Sequence, residues 1–348
     1  MASGGAYNRH SRMQAVGSIP GVALLEQAAA VVELPDPGAP LVLADYGCSG
    51  GRNSLAPVTA AIDVLRGRGN HPIVLAHTDL PDNDFSALFD TVWNAVDSYT
   101  SKPDVFPVAI GRSFYHQLLP ACSVTLGWCS WSVAWLSGPP AAIPDHVQVS
   151  YSDDDAVRSA YSQQAAADWR DFLTARAAEM RAGARLVLVV PAADDDGTAG
   201  YRPMFEAAWE TLTDLVSDGF LDADEVVRMG MPHVGRTAAD LVAPFGDDGR
   251  IAGLTIEHLE SFTGPDEFWQ DYQSAGDAAA FGARWAGIFS AGAFPSLATG
   301  LHSTADDPRT TAVLQRLESG IAARLAAAPQ PMRIPVINVV IAKTAGDR

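Results

Sequence analysis

The run Leu41-Val42-Leu43-Ala44 ends in Asp45-Tyr46-Gly47-Cys48-Ser49-Gly50-Gly51, and Leu55, Val58, Ile62 and Leu65 then recur at helical spacing. No other feature constrains the fold as much. A strand without polar alternation must be covered on both faces, which is the situation of a parallel sheet flanked by helices. The unit repeats. Apolar runs at 73–76, 107–110, 123–126 and 186–190 alternate with helical segments at 19–33, 85–96 and 157–181. Strands alternating with helices imply right-handed crossovers and a doubly wound sheet. Asn53 or Ser54 is the expected N-cap of the helix after the first turn, and Gly183 the expected end of the long helix.

The second half reads differently. Asp194-Asp195-Asp196-Gly197 breaks the pattern, a helix follows at 204–215, and strands are expected at 253–262 and 334–342. The intervening 265–328 is helical and alanine-rich. The expected fold is α/β: a doubly wound, mostly parallel sheet of seven strands with a helical cap. Residues 1–197 would form an N-terminal arm and a ligand-binding Rossmann-like core. Segments 198–248 and 265–328 would form the cap, and 249–264 and 329–348 would return to the sheet.

Charge narrows the function. With 23 basic and 41 acidic residues the net charge is −18, which opposes nucleic acid and anionic membrane partners. Cys48, Cys122 and Cys129 are too few for a disulfide framework, and no zinc-like spacing occurs, so no metal is expected. No apolar run is long enough for a membrane span. A soluble, cytoplasmic protein is the simplest expectation.

Three strand ends point to one ligand. Gly47, Gly50 and Gly51 allow close backbone approach, without the spacing of a dinucleotide or phosphate loop. Asp45 before the turn suits an ammonium group. Asp79, ending the second strand, suits the two hydroxyls of a ribose, although it or Asp82 could simply cap the next helix. The ring in Ser113-Phe114-Tyr115 could cover an adenine or pack in the core. S-adenosylmethionine carries all three groups.

Longer blocks carry a more specific likeness. Tyr7-Asn8-Arg9-His10-Ser11-Arg12-Met13-Gln14, the segment from Ala44 through Ser54, Asp79-Leu80-Pro81-Asp82-Asn83-Asp84-Phe85, Gly111-Arg112-Ser113-Phe114-Tyr115 and Ser130-Trp131-Ser132-Val133-Ala134-Trp135-Leu136-Ser137 occur in this order. They resemble the signatures of the SABATH family of S-adenosylmethionine-dependent carboxyl methyltransferases, strongly from residue 4 to about 190. The resemblance implies a class I methyltransferase fold that makes methyl esters of small acids and releases S-adenosylhomocysteine. It implies that Tyr7, Ser11, Asp45, Gly47, Cys48, Asn53, Asp79, Leu80, Ser113, Phe114 and Ser130 hold the cofactor. Gln14 and Trp135 would each donate a hydrogen bond to the substrate carboxylate. The resemblance also suggests a homodimer.

Departures bear on the substrate. Trp131 stands where the family often has Tyr, Ala134 where it has Met, and Phe205 where it has Trp. The expected pocket walls, Trp131, Ala134, Trp135, Met204 and Phe205 with Val234, Ile288 and Phe289, are nearly all apolar. This favours an aliphatic tail, and the chain looks most like the bacterial fatty-acid O-methyltransferase branch. An aromatic acid of the salicylate or benzoate type, a heterocyclic nitrogen acceptor and a non-catalytic carrier of a hydrophobic acid are the alternatives. His233, His258 and His302 read as ordinary core or surface histidines.

Overall fold

The structure is a computed structural model that describes residues 17–195, 197–304 and 307–344. Tyr7, Ser11 and Gln14 lie outside the described residues. One seven-stranded sheet organises the chain, with β1 (Leu41–Tyr46), β2 (Ile73–Asp79), β3 (Val105–Gly111), β4 (Val124–Ser130), β5 (Met180–Pro191), β6 (Leu254–Thr263) and β7 (Pro335–Lys343). Its order is β3-β2-β1-β4-β5-β7-β6. The first five strands run parallel, and β7 is antiparallel to both β5 and β6. The strand order reverses between β1 and β4, which opens a crevice at their carboxyl ends.

Burial follows from position. The central strands β1, β4, β5 and β7 are almost wholly buried, whereas edge strand β3 alternates and leaves Phe106 and Val108 exposed. Helix α1 (Ile19–Val31) packs against α2 (Arg52–Arg68) and against β5, while α2 and α3 (Phe85–Asn94) connect β1 to β2 and β2 to β3. The long α4 (Asp155–Glu179) covers the other face, where Trp169, Phe172 and Leu173 meet Tyr46, Leu186 and Leu188. Short α6 (Ala223–Arg228) and α7 (Ala238–Val242) follow α5 (Arg202–Ser217); α8 (Glu267–Ala275), α9 (Ala278–Ala298) and α10 (Pro308–Ala327) fill the stretch before β7.

Three local expectations fail for identifiable reasons. Helix α2 starts at Arg52 behind Gly51, whose left-handed φ of 79° makes it the N-cap in place of Asn53 or Ser54. Gly183 does not end α4. Strand β5 begins at Met180, and Gly183 sits inside it at φ 75° where the register against β4 slips. The last carbonyls of α4 are satisfied instead by the residues just before β4: Cys122 N–H donates to Ala178 O (2.9 Å) and Ser123 N–H to Glu179 O (2.8 Å). Finally, the end of the 198–248 segment leaves the cap. Leu241 and Phe245 belong to the core under α4, and the Trp169 indole N–H donates to Leu241 O at 3.0 Å.

The cap proper is built from α5, α9 and α10. Its core residues, among them Met204, Phe205, Leu212, Phe281, Trp285 and Leu325, are continuous with the cluster that holds Leu25, Leu43, Leu55 and Trp128 of the sheet domain. Cap and sheet thus share one hydrophobic core.

Candidate active site

The turn after β1 is held from β2. Gly47 N–H and Cys48 N–H both donate to Thr78 O, at 2.8 and 3.0 Å. Gly47 has φ 81°, and a β-carbon there would lie 2.2 Å from Ser132 Oγ. Only glycine lets the β1 and β4 loops meet at this distance. Ser132 Oγ–H in turn donates to Gly47 O at 3.1 Å.

Asp79 is a lock on that turn. Its two oxygens accept from Ser49 N–H (2.7 Å) and Leu80 N–H (2.8 Å). Burial pushes its carboxyl above the usual range, against the pull of those two bonds. It does not cap α3: Asp84 does, accepting from Ala87 N–H at 2.9 Å, while Asp82 is exposed. A carboxylate has about four lone-pair sites, so two remain for vicinal hydroxyls. Leu80 beside it is half exposed.

Asp45 departs from expectation. Its side chain is buried, and Oδ2 lies 2.8 Å from His77 Nδ1; His77 Nε2 lies 2.7 Å from the Tyr99 hydroxyl. The acid expected at an ammonium group is instead the end of a buried Asp45–His77–Tyr99 chain beneath the loop. Cys48 is buried too. Burial, with the charges of Asp45 and Asp79, holds its thiol well above the usual range, which leaves it unreactive. Asn53 sits half-buried in the first turn of α2.

The Ser113-Phe114-Tyr115 turn is fixed from α4. Arg176 donates to Phe114 O (2.8 Å), His116 O (3.0 Å) and Glu179 (2.8 Å), all buried or part-buried. Glu179 also accepts from the Tyr46 hydroxyl at 2.7 Å and from Leu118 N–H at 2.5 Å. The Phe114 ring stands edge-on to Phe172, and a β-carbon on Gly47 would touch it at 3.5 Å. Backbone turn, the Asp79 carboxylate and the Phe114 ring therefore converge at the switch point, an arrangement that fits a nucleoside.

A second compartment adjoins it. After β4, Trp131 takes φ 63°, and its indole N–H donates to Ser18 Oγ at 3.1 Å; Ser18 Oγ also pairs with Ser130 Oγ at 2.8 Å. Tyr115 hydroxyl donates to Trp135 O at 2.5 Å. A cavity of about 110 Å³ lies between these residues and the cap, lined by Trp131, Trp135, Met204, Phe205, Ile288 and Phe289 with Tyr201, Met231 and His233. Two expected wall residues are elsewhere. Ala134 is fully buried and Val234 packs with the Leu136–Tyr161 cluster; neither lines the cavity. The backbone explains this: Leu136 N–H donates to Pro232 O and Val234 N–H to Ala134 O, which sets Trp135 opposite His233.

His233 is the residue missed by sequence reasoning. Its ring stands edge-on to Trp135 with centroids 5.0 Å apart. Burial holds its pKa down to about 4, so it is neutral at pH 7. No local pattern marks it, because the pairing joins residues 98 positions apart in the chain. His258 is part-buried beside Glu260 (3.5 Å), and His302 is exposed beside Asp224 (3.2 Å).

Over residues 2–328 the sequence matches the family described as SAM dependent carboxyl methyltransferase. The chain belongs to this family. It is 30% identical over 246 residues to the methyltransferase LUC1 of a Fusarium species, a match covering 69% of this chain and 65% of that protein. It is 28% identical to indole-3-acetate O-methyltransferase 1 of Arabidopsis thaliana, over 71% of both chains. It is 27% identical to salicylate carboxymethyltransferase of Clarkia breweri, over 68% and 67%. Among solved structures, loganic acid methyltransferase with SAH superposes with a TM-score of 0.80 at 18% identity, over 99% of this chain and 98% of that one. That likeness establishes the shared fold of a class I methyltransferase. The family's cofactor is S-adenosylmethionine, and the donor and acceptor set at the switch point fits it. Among the described residues, no helix is long and apolar enough to cross a membrane.

Proposed function

We propose that this protein transfers a methyl group from S-adenosylmethionine to the carboxylate of a small hydrophobic acid, a fatty acid being favoured. The observation that carries the reading is the apolar cavity at Trp135, tied to the β1 turn through Ser132 and Gly47. Bound S-adenosylmethionine would supply an electrophilic methyl group on a sulfonium. The chain's own task is then limited. A carboxylate is already an anion at pH 7, so no general base is required. The walls remove its water, and donors hold one oxygen toward the methyl group. Trp135 would be one donor, through its indole N–H, and Gln14 the other. Positioning of this kind is worth roughly 7–11 kcal/mol.

A volume of about 110 Å³ is near that of a benzene-sized cavity, on the order of 150 Å³. A fatty acid bound there is short or leaves its tail outside. Aromatic acids form the second reading. It is favoured by the rings of Trp131, Phe205 and Phe289 in the wall and by the salicylate and indole-3-acetate enzymes among the relatives.

The test uses S-adenosylmethionine with a labelled methyl group and a panel of acids: fatty acids of increasing length, benzoate, salicylate, indole-3-acetate and jasmonate. A base-labile, solvent-extractable ester that peaks within the short fatty acids is the expected product. Label on aromatic acids alone would replace the fatty acid with the second reading. Cofactor binding without transfer to any acid would overturn carboxyl methylation.

A further inference from the structure

The cavity wall contains an imidazole that an apolar acyl pocket does not need. His233 sits directly across a backbone bridge from Trp135, so both side chains reach the same space. Its Nδ1 lies 3.3 Å from the side-chain amide Nε2 of Gln148. With the Gln148 amide turned this way its N–H donates, Nδ1 accepts and the ring proton stands on Nε2. Nε2 has no hydrogen-bond partner among the described residues. Gln148 is wholly buried and anchored in turn, its backbone N–H donating to His146 Nδ1 at 3.0 Å. The indole N–H of the neighbouring Trp131 is already engaged by Ser18. The residues named in the cavity wall include no Asp or Glu, while the guanidinium of Arg236 lies buried behind it on the carbonyls of Val133 and Ala165. The surroundings suit an anion.

We propose that the Nε2–H of His233 is a further donor to the acid's carboxylate, beside the indole N–H of Trp135, and that Gln148 keeps the proton on that nitrogen. This assignment rests on the carboxyl-methylation reading above. A carboxylate has two oxygens. One must be free to meet the methyl group, and the other needs donors that replace its lost water. Trp135 and His233, at 5.0 Å between ring centroids, are near enough to share it. A neutral imidazole serves better here than a lysine or arginine, because it holds the anion without neutralising the attacking oxygen.

The experiment compares the wild-type protein with His233→Phe and His233→Gln. Phe keeps a ring against Trp135 and removes the N–H; Gln returns an amide N–H at similar reach. Calorimetry measures the binding of benzoate and hexanoate, and of benzyl alcohol and hexanol, with S-adenosylhomocysteine present. Turnover of the two acids is measured in parallel. Hydrogen bonds to charged groups set the scale, so His233→Phe should weaken both acids roughly 10- to 100-fold. The alcohols should change less than about threefold, and His233→Gln should recover most of the acid affinity. Equal weakening of acids and alcohols would make His233 a packing residue and overturn the proposal. So would unchanged acid binding. Wild-type protein that binds the acids but never methylates them would defeat the functional reading, while the acid-to-alcohol ratio still decides the role of His233. No acid binding at all would overturn both.

Discussion

Substituting Asp79 by Asn separates its two duties. In the folded protein its carboxylate accepts from Ser49 N–H at 2.7 Å and from Leu80 N–H at 2.8 Å. An amide offers one oxygen, so one of these donors loses its partner. That bond is charge-assisted, and its loss costs about 1.5–3 kcal/mol. A partial offset comes from burial. Asp79 ionises above the usual carboxylate range, so at neutral pH its charge is a cost that Asn does not carry. The net is about 1–2 kcal/mol, or a fall in Tm of roughly 1.5–3 °C for a chain of this size. The second duty, proposed for it here, is to accept the ribose hydroxyls, and its loss should cost a further 10- to 100-fold in the Kd for S-adenosylhomocysteine. The assay is a double-mutant cycle, with calorimetry of S-adenosylhomocysteine and its 2′-deoxy analogue on both proteins. The wild type should lose affinity for the deoxy compound and the variant should barely distinguish the two. If both proteins lose affinity by the same factor, Asp79 is a structural lock only and the diol assignment is wrong.

Other outcomes follow from the same geometry. Trp135→Phe preserves the ring that meets His233 but deletes an N–H; kcat/KM should fall roughly 10- to 100-fold with Tm nearly unchanged, measured by label transfer and thermal melts. Phe205→Ala enlarges the cavity wall, so the preferred fatty acid should lengthen by a few carbons while stability drops about 3–5 kcal/mol, read from a chain-length series and denaturant unfolding. Glu225 is held down to about 2 by Arg309, its carboxylate also accepting from the backbone of Asp222 and His302. A depressed carboxyl stabilises the fold above its unfolded pKa, near 4.3, and that gain disappears as pH falls toward 2. Glu225→Gln should therefore lower Tm by a few degrees at pH 7, and the gap should close between about pH 4.5 and 2.

Much of the fold is legible because it is written in contiguous runs. Leu41 to Leu65 carries strand, turn and helix in one stretch, and β5 announces two-sided burial through unbroken Leu and Val from 186 to 190, as β7 does through Val and Ile interrupted only at Asn338. Trp131, Met204, Phe205, Ile288 and Phe289 were expected as walls and do meet around one cavity. What the sequence hides depends on register between distant segments. Asp45 turns inward because β1 pairs it with His77, a neighbour that only the sheet defines. His233 reaches the cavity, and Ala134 and Val234 miss it, because Leu136 bonds to Pro232; a shift of one residue would exchange them. Gly183 misled for a related reason. A positive φ serves a bulge as well as a helix end, and the choice was made by Cys122 and Ser123 bonding to the last carbonyls of α4.

The shared core of cap and sheet limits how such a chain can acquire a new substrate. A cap held by a separate core could be exchanged whole between relatives, as a cartridge. Here Met204 and Phe205 belong to the same packed cluster as Leu43 and Trp128, so a transplanted cap would arrive with the wrong inner surface and leave voids against the sheet. Changes of acceptor are therefore favoured one side chain at a time, at positions such as Phe205, Ile288 and Phe289 that have one edge in the cavity and the other in the core. Each such step spends stability as it moves specificity, and a library that varies these positions should carry compensating core substitutions from the start.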